Sequence, residues 1–261
     1  MTQLTNAGMA PSTVAKVYYL FSKSMKQAAL AKVVPVNPCK GIELPPIPPG
    51  PDRYLTDEEV SAIQASLDDF DLLIVDVLLG AGLRLGEALG LHWEHVDLKR
   101  REVTVAWSYD PVEHEMKAPK DYERRTVPIG KGLTDRLRSH LATVSGLGRP
   151  APEPVTYPKN ARLHSGLVLA HVNGRPFDPS NFRHRWEASV RIAYVGKGRN
   201  RHQIGQVRLH DLRHTYASRL LEKNVPIEDV SRLLGHASVT TTMRYSHLRK
   251  SGWDAVRAAL G

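Results

Sequence analysis

Apolar residues first recur at helical spacing at Val14, Val17, Leu20, Phe21, Met25 and Ala28, behind Pro11-Ser12-Thr13, which predicts one long helix. Its apolar face is too broad for one helix and the short tail Asn37-Pro38-Cys39-Lys40-Gly41 to cover. Residues 45–51 read Pro-Pro-Ile-Pro-Pro-Gly-Pro, which cannot continue a helix and predicts an extended linker. Beyond it, Thr56-Asp57-Glu58-Glu59 is a capping box that starts a helix. The apolar run Leu72 to Leu79 predicts another, broken at Gly80-Ala81-Gly82. A short helix follows from Arg84 to Leu91, ending near Trp93. Alternation at Val103, Val105 and Trp107, and again at Thr126-Val127-Pro128-Ile129, predicts a small antiparallel sheet. The polar connection from Tyr109 to Glu123 lies between these strands. Helical patterns follow at 132–145, 179–194, 211–223, 226–234 and 238–247. Pro226 suits a helix start and Gly235 a helix end. The Pro-rich stretch 149–160 reads as a loop.

Composition narrows the function classes. The chain has 261 residues, a net charge of +9 and a pI near 9.7, a balance that attracts polyanions, nucleic acid above all. Cys39 is the only cysteine, so neither an intrachain disulfide nor a cysteine-built zinc site can form. None of the twelve histidines belongs to an HExxH motif or to a close pair flanked by carboxylates, so no metal is expected. No apolar run approaches the ~18 residues of a membrane span, and no secretion signal opens the chain. A cytoplasmic protein with no membrane partner is the expectation.

The residues that can carry chemistry concentrate between His210 and Tyr245. The chain reads His210-Asp211-Leu212-Arg213-His214, then Leu233-Leu234-Gly235-His236, then Met243-Arg244-Tyr245. Cleaving a phosphodiester without metal poses three demands. Charge growing on the nonbridging oxygens must be stabilised, the nucleophile must lose a proton, and the leaving oxygen must gain one. Arginine meets the first, since its planar fork donates two hydrogen bonds to one phosphate and stays charged. Arg213 is one candidate, with His210 a helical turn before it, and Arg84 is the second. Tyr245 offers a phenolic nucleophile.

The stretch Gly82-Leu83-Arg84-Leu85-Gly86-Glu87-Ala88-Leu89-Gly90-Leu91-His92-Trp93 resembles the first signature box of the tyrosine recombinase (phage integrase) family. His210-Asp211-Leu212-Arg213-His214-Thr215 with Leu234-Gly235-His236 resembles the second box, and Thr241-Thr242-Met243-Arg244-Tyr245 the nucleophile segment. The resemblance implies a mainly α catalytic domain with a small antiparallel β-sheet (α+β). It implies metal-free and ATP-free site-specific DNA recombination through a 3′-phosphotyrosine intermediate, with no cofactor. Tyr245 would attack, Arg84 and Arg213 would grip the phosphate, His236 would donate to it, and His210 would be the general base. The family's general-acid lysine corresponds best to Lys120, with Lys117 close enough to be an alternative. Glu87 would support Arg84, Asp211 would cap the helix carrying Arg213, and His214 and Thr215 would pack behind the site or support the residues in it. Two other outcomes use the same residues: relaxation of DNA as by a type IB topoisomerase, and DNA binding without recombination.

Between Arg183 and Arg213 lie eight Lys or Arg and two acids. Within this run Lys197, Arg199 and Arg201 sit in a basic loop, where they would contact the DNA backbone. Lys26 would do so from the N-terminal helix. The expected organisation is a partial helical core-binding segment at 1–44, a linker at 45–53 and the catalytic domain at 54–261. The expected partners are double-stranded DNA and further copies of the chain, four on DNA during recombination. A short amphipathic helix, Trp253 to Leu260, would close the chain.

Overall fold

The computed structural model describes residues 2–47, 53–119, 124–144, 155–158, 165–171 and 174–248, together with 257 and 260. The chain divides into two compact units, Met1–Pro51 and Asp52–Gly261.

The first unit holds two helices, α1 (Thr2–Asn6) and α2 (Pro11–Leu30), with Pro11 in the first turn of α2, where its missing N–H costs nothing. The chain after α2 is tied back to it. The Tyr18 hydroxyl donates to the Cys39 carbonyl (2.7 Å), and the Asn37 amide donates to the Ser22 carbonyl (3.1 Å). Within this unit Val14, Ala15 and Cys39 are buried, while Tyr19, Leu20 and Phe21 are 63%, 71% and 53% exposed. Of the apolar face expected of α2, Val17, Leu20 and Phe21 thus lie open.

The second unit begins with α3 (Asp57–Gln64), started by the capping box: the Glu59 N–H donates to Thr56 Oγ1, and the Thr56 N–H donates to Glu59 Oε2. Helix α4 (Asp69–Ala81) is apolar on nearly every side because it packs between α6 (Lys131–Val144) and α8 (Leu209–Glu222). It stops at Gly82, which sits at φ +62°, a region glycine enters without strain. A Cβ at Gly82 would come within 2.3 Å of the Tyr216 ring, so only glycine lets α4 and α8 approach here. Helix α5 (Leu85–Leu89) follows, then a sheet of β1 (Val96–Asp97), β2 (Glu102–Val105) and β5 (Arg125–Pro128), antiparallel throughout. The hairpin of β3 (Ser108–Asp110) and β4 (Glu115–Lys117) stands between β2 and β5 in sequence. Helix α7 (Pro179–Ile192) is anchored to α4 by Arg185, which grips both oxygens of Asp71 at 2.6 and 2.7 Å. A short hairpin of β6 (Tyr194–Val195) and β7 (His202–Gln203), then α8 and α9 (Ile227–Leu234), complete the framework. The class is mainly α with small antiparallel sheets.

Several elements depart from the sequence pattern for local reasons. The helix expected across 238–247 is two 3-10 turns, Val239–Thr241 and Met243–Leu248. Four β-branched residues in a row disfavour the α-helix, and the Ser238 hydroxyl accepts from the Thr240 N–H. Helix α5 ends at Leu89 before Gly90, and Trp93 belongs to a separate 3-10 turn. Strand β2 ends at Val105, leaving Trp107 outside it, and the polar connection after it contains the β3–β4 hairpin. Asp211 is not the cap residue of α8. It occupies the third position and reaches back to the Arg208 N–H (2.8 Å), as a capping-box acid does. Helix α7 stops at Ile192, and its expected last residue, Tyr194, pairs with Gln203. Of the expected loop at 149–160 only 155–158 are described, with Val155 buried; of the C-terminal helix, only 257 and 260.

Two outcomes follow from this packing. Gly82→Ala should cost about 2 kcal/mol or more of stability, through overpacking against Tyr216 and a positive φ, read as a lower urea midpoint at unchanged m-value. His92 is fully buried, with Nδ1 facing the Gly90 carbonyl (2.9 Å) and Nε2 the Tyr157 hydroxyl (3.2 Å). Burial pushes its imidazole down from 6.5 to about 4. The folded state therefore resists its protonation while the unfolded chain accepts it. Its contribution should be complete above pH 6.5 and decline as pH falls toward 4. Unfolding titrations should show that decline, and His92→Gln should flatten it.

Candidate active site

The site is built around the C-terminus of α9. Gly235, at φ +62° and ψ +53°, turns the chain out of the helix. The N–H groups of Gly235 and His236 then bond back to the carbonyls of Arg232 (3.0 Å) and Ser231 (3.1 Å), a Schellman closure. This leaves the next three carbonyls, at Leu233, Leu234 and Gly235, pointing beyond the helix and in need of donors. Each is met by a different arginine. Arg125 Nε donates to Leu233 (2.8 Å), Arg213 Nη2 donates to Leu234, and Arg84 Nη2 donates to Gly235 (3.2 Å). The negative end of the helix dipole favours cations at this spot.

A buried carboxylate ties the same arginines together. Glu87, 2% exposed, accepts from Arg84 Nη1 (2.8 Å) and from the Arg84 backbone N–H (2.8 Å). Arg125 meets both of its oxygens, at 3.0 and 2.6 Å, and Arg213 Nη1 lies 3.9 Å away. Burial works to raise the Glu87 carboxyl, but the bonds from Arg125 and Arg84 prevail and hold it below its usual range. Arg213 is 3% exposed and also donates from Nη1 to the Gly82 carbonyl (2.7 Å) at the end of α4. Burial and the charge of Arg84 bring it down to about 9, which leaves it cationic at neutral pH. Three guanidinium groups against one carboxylate give the cluster a net charge of two positives.

The imidazoles beside this charge are held neutral. His236, half-buried, is pushed down to about 4 by desolvation and by Arg213, Arg84 and Arg125, and its Nδ1 faces the buried Thr242 hydroxyl at 2.8 Å. His210, open to solvent on one side, is also lowered, by desolvation first and then by Arg213. Its ring stands edge-on to His214, with centroids 4.6 Å apart. Tyr245 is 2% exposed, and its hydroxyl is hydrogen-bonded to Nδ1 of His214.

Arg84, Glu87, Arg213 and His236 thus meet in one cluster, and His210 reaches Tyr245 by way of the intervening His214 ring. Lys120 lies outside the described residues. Lys117, the alternative, is in β4 and pairs with Asp110 (2.7 Å), which raises its ammonium. Lys197, Arg199 and Arg201 are exposed on the β6–β7 hairpin, where Arg201 stacks on the Tyr194 ring (4.8 Å). Lys26 is exposed on α2 in the other unit. Sequence reasoning missed Arg125 and left His214 between packing and a supporting role. A signal for Arg125 was present: it shares the inward face of β5 with Val127, an unusual place for a charge. Among the described residues no group of three metal-ligating side chains occurs, and no helix is long and apolar enough to cross a membrane.

Comparison with known proteins agrees with the motifs. The profile of the phage integrase family matches residues 53–251. The chain is 29% identical to a tyrosine recombinase XerC-like protein of Caldanaerobacter subterraneus, over 87% of this chain and 59% of that one. It is 31% identical to tyrosine recombinase XerA of Thermococcus kodakarensis, over 79% of this chain and 64% of that one. The chain thus spans less than two thirds of the length of these relatives. The fold is similar to that of the Tn1549 transposon integrase, solved in complex with a circular intermediate DNA, with a TM-score of 0.70 at 17% identity over 99% of this chain and 82% of that one. The chain belongs to the phage integrase family.

Proposed function

We propose that this chain carries the DNA strand-transfer centre of a tyrosine-type site-specific recombinase, with residues 54–261 as its catalytic domain and 1–44 as part of a helical core-binding region. The observation that carries the reading is the arginine cluster: Arg84 and Arg213 are fixed by adjacent carbonyls of one helix end, in a site with two net positive charges. A phosphodiester brings one negative charge and gains another on the way to the transition state. Donors already in place for that charge give the largest part of such catalysis. The bonds described use one hydrogen on each terminal nitrogen of Arg84 and Arg213, and a guanidinium has five N–H groups in all.

The neutral imidazoles divide the proton work. With the Thr242 hydroxyl donating to Nδ1, His236 carries its proton on Nε2 and donates it to a nonbridging oxygen. His210 accepts the phenol proton, and Lys120 supplies one to the leaving 5′-oxygen. A phenol of pKa ~10 needs such help at neutral pH. Because Tyr245 is buried against His214, the turn Met243–Leu248 must shift to present its oxygen to a phosphate. The product is a 3′-phosphotyrosyl bond that keeps the energy of the broken ester, so neither metal nor nucleotide is required. Double-stranded DNA is the substrate, and exchange of strands between two sites calls for four copies of the chain.

Duplexes enriched by the protein from a random pool, then nicked beside the cleavage position, test this reading. A denaturation-resistant protein–DNA adduct should form, and Tyr245→Phe should abolish it while keeping DNA affinity within about threefold. A gel shift with no adduct indicates binding alone, and an adduct surviving in Tyr245→Phe places the nucleophile elsewhere. Replacing Lys197 and Arg199 together by Ala should weaken binding to all sequences alike and reduce the salt slope of log K by about two.

A further inference from the structure

Arg125 opens β5 five residues after Lys120, facing inward with Val127 while Thr126 and Pro128 face out. Its guanidinium spends its fork on protein: both oxygens of Glu87 at 3.0 and 2.6 Å, and the Leu233 carbonyl at 2.8 Å. The side chain is 10% exposed, and unlike Arg84 and Arg213 it has Nε as well as both terminal nitrogens bonded to protein. Gly235 lies flat against it, and a Cβ there would stand 2.9 Å from Nη1. Arg125 is thus the one described side chain that joins the sheet, the carboxylate orienting Arg84, and the helix end receiving all three arginines.

We propose, on the strand-transfer reading above, that Arg125 is a positioning residue that fixes the phosphate-gripping geometry of Arg84 and Arg213. It acts through Glu87 and the α9 carbonyls. Without it, Glu87 loses its bidentate partner, and the carboxylate is free to turn toward Arg213, 3.9 Å away. The Leu233 carbonyl is left without this donor, and the helix end carrying Leu234, Gly235 and His236 loosens. A lysine retains the charge but cannot span both Glu87 oxygens and a carbonyl at once. The orientation of Arg84, more than the charge of the site, depends on Arg125.

The test compares Arg125→Gln, Arg125→Lys and Glu87→Gln with the unaltered protein on nicked duplexes bearing either oxygen or sulfur at the 5′-bridging position. Sulfur leaves without a proton, so it restores a defect routed through Lys120 and not one in the phosphate grip. Arg125→Gln should slow adduct formation at least tenfold on both substrates, with duplex affinity within about threefold. Arg125→Lys should recover part of the rate, and Glu87→Gln should add little to Arg125→Gln. In ¹⁵N spectra, Arg84 should show restricted rotation about Nε–Cζ in the unaltered protein and lose it in Arg125→Gln and Glu87→Gln. That readout stands even where the unaltered protein forms no adduct, a result that would count against strand transfer alone. Unaltered cleavage in Arg125→Gln, full restoration by sulfur, or unchanged Arg84 spectra would each overturn the assignment. Should Arg125→Gln fail to fold, Arg125→Lys and Glu87→Gln are judged by the same rates and spectra.

Discussion

Three arginines bond to three successive carbonyls where one short helix ends, and the candidate site depends on that shared attachment. Like charges so close repel one another, and burying a guanidinium as deeply as Arg213 carries a desolvation cost of several kcal/mol. The carbonyls of Leu233, Leu234 and Gly235, the α9 dipole and the Glu87 carboxylate offset both. The compensation is partial: two positive charges remain, which on the proposed reading draw in a phosphate and hold it more strongly as it becomes more negative.

Backbone conformation makes the attachment possible. Gly235 in the left-handed region completes the Schellman closure, and in doing so aims the remaining carbonyls outward instead of along another helical turn. Gly82, also in the left-handed region, ends α4 and offers its carbonyl to Arg213. Burial, and after it the neighbouring cations, hold His236 and His210 below the usual imidazole range, which leaves both neutral at neutral pH.

Much of this was legible in the residues. Arg84, His210, Arg213, His236 and Tyr245 stand in boxes whose order and spacing resemble those of the family, and the glycines at 82 and 235 announce helix ends. The mainly α class followed from the resemblance, in keeping with the apolar run of α4 and the helical patterns over α7 and α8. What escaped was what depends on partners distant in sequence. Arg125 reads as part of a basic strand lead-in until Glu87, 38 residues earlier, is seen between its nitrogens. His214 reads as packing or support, with no partner named, until Tyr245, 31 residues later, bonds to it. The segment 238–247 has a helical apolar pattern, yet Ser238 and Thr242 turn their hydroxyls to local partners, and 3-10 turns result.

The most direct measurement is a structure of the protein on nicked duplex DNA trapped with orthovanadate, which takes the five-coordinate geometry of a phosphoryl group in transfer. The account predicts vanadium bonded to the Tyr245 oxygen, with Arg84 and Arg213 on its equatorial oxygens and still bonded to Gly235, Leu234 and Gly82. Vanadate bound away from both guanidinium groups, or Tyr245 still enclosed against His214 with DNA in place, would contradict it.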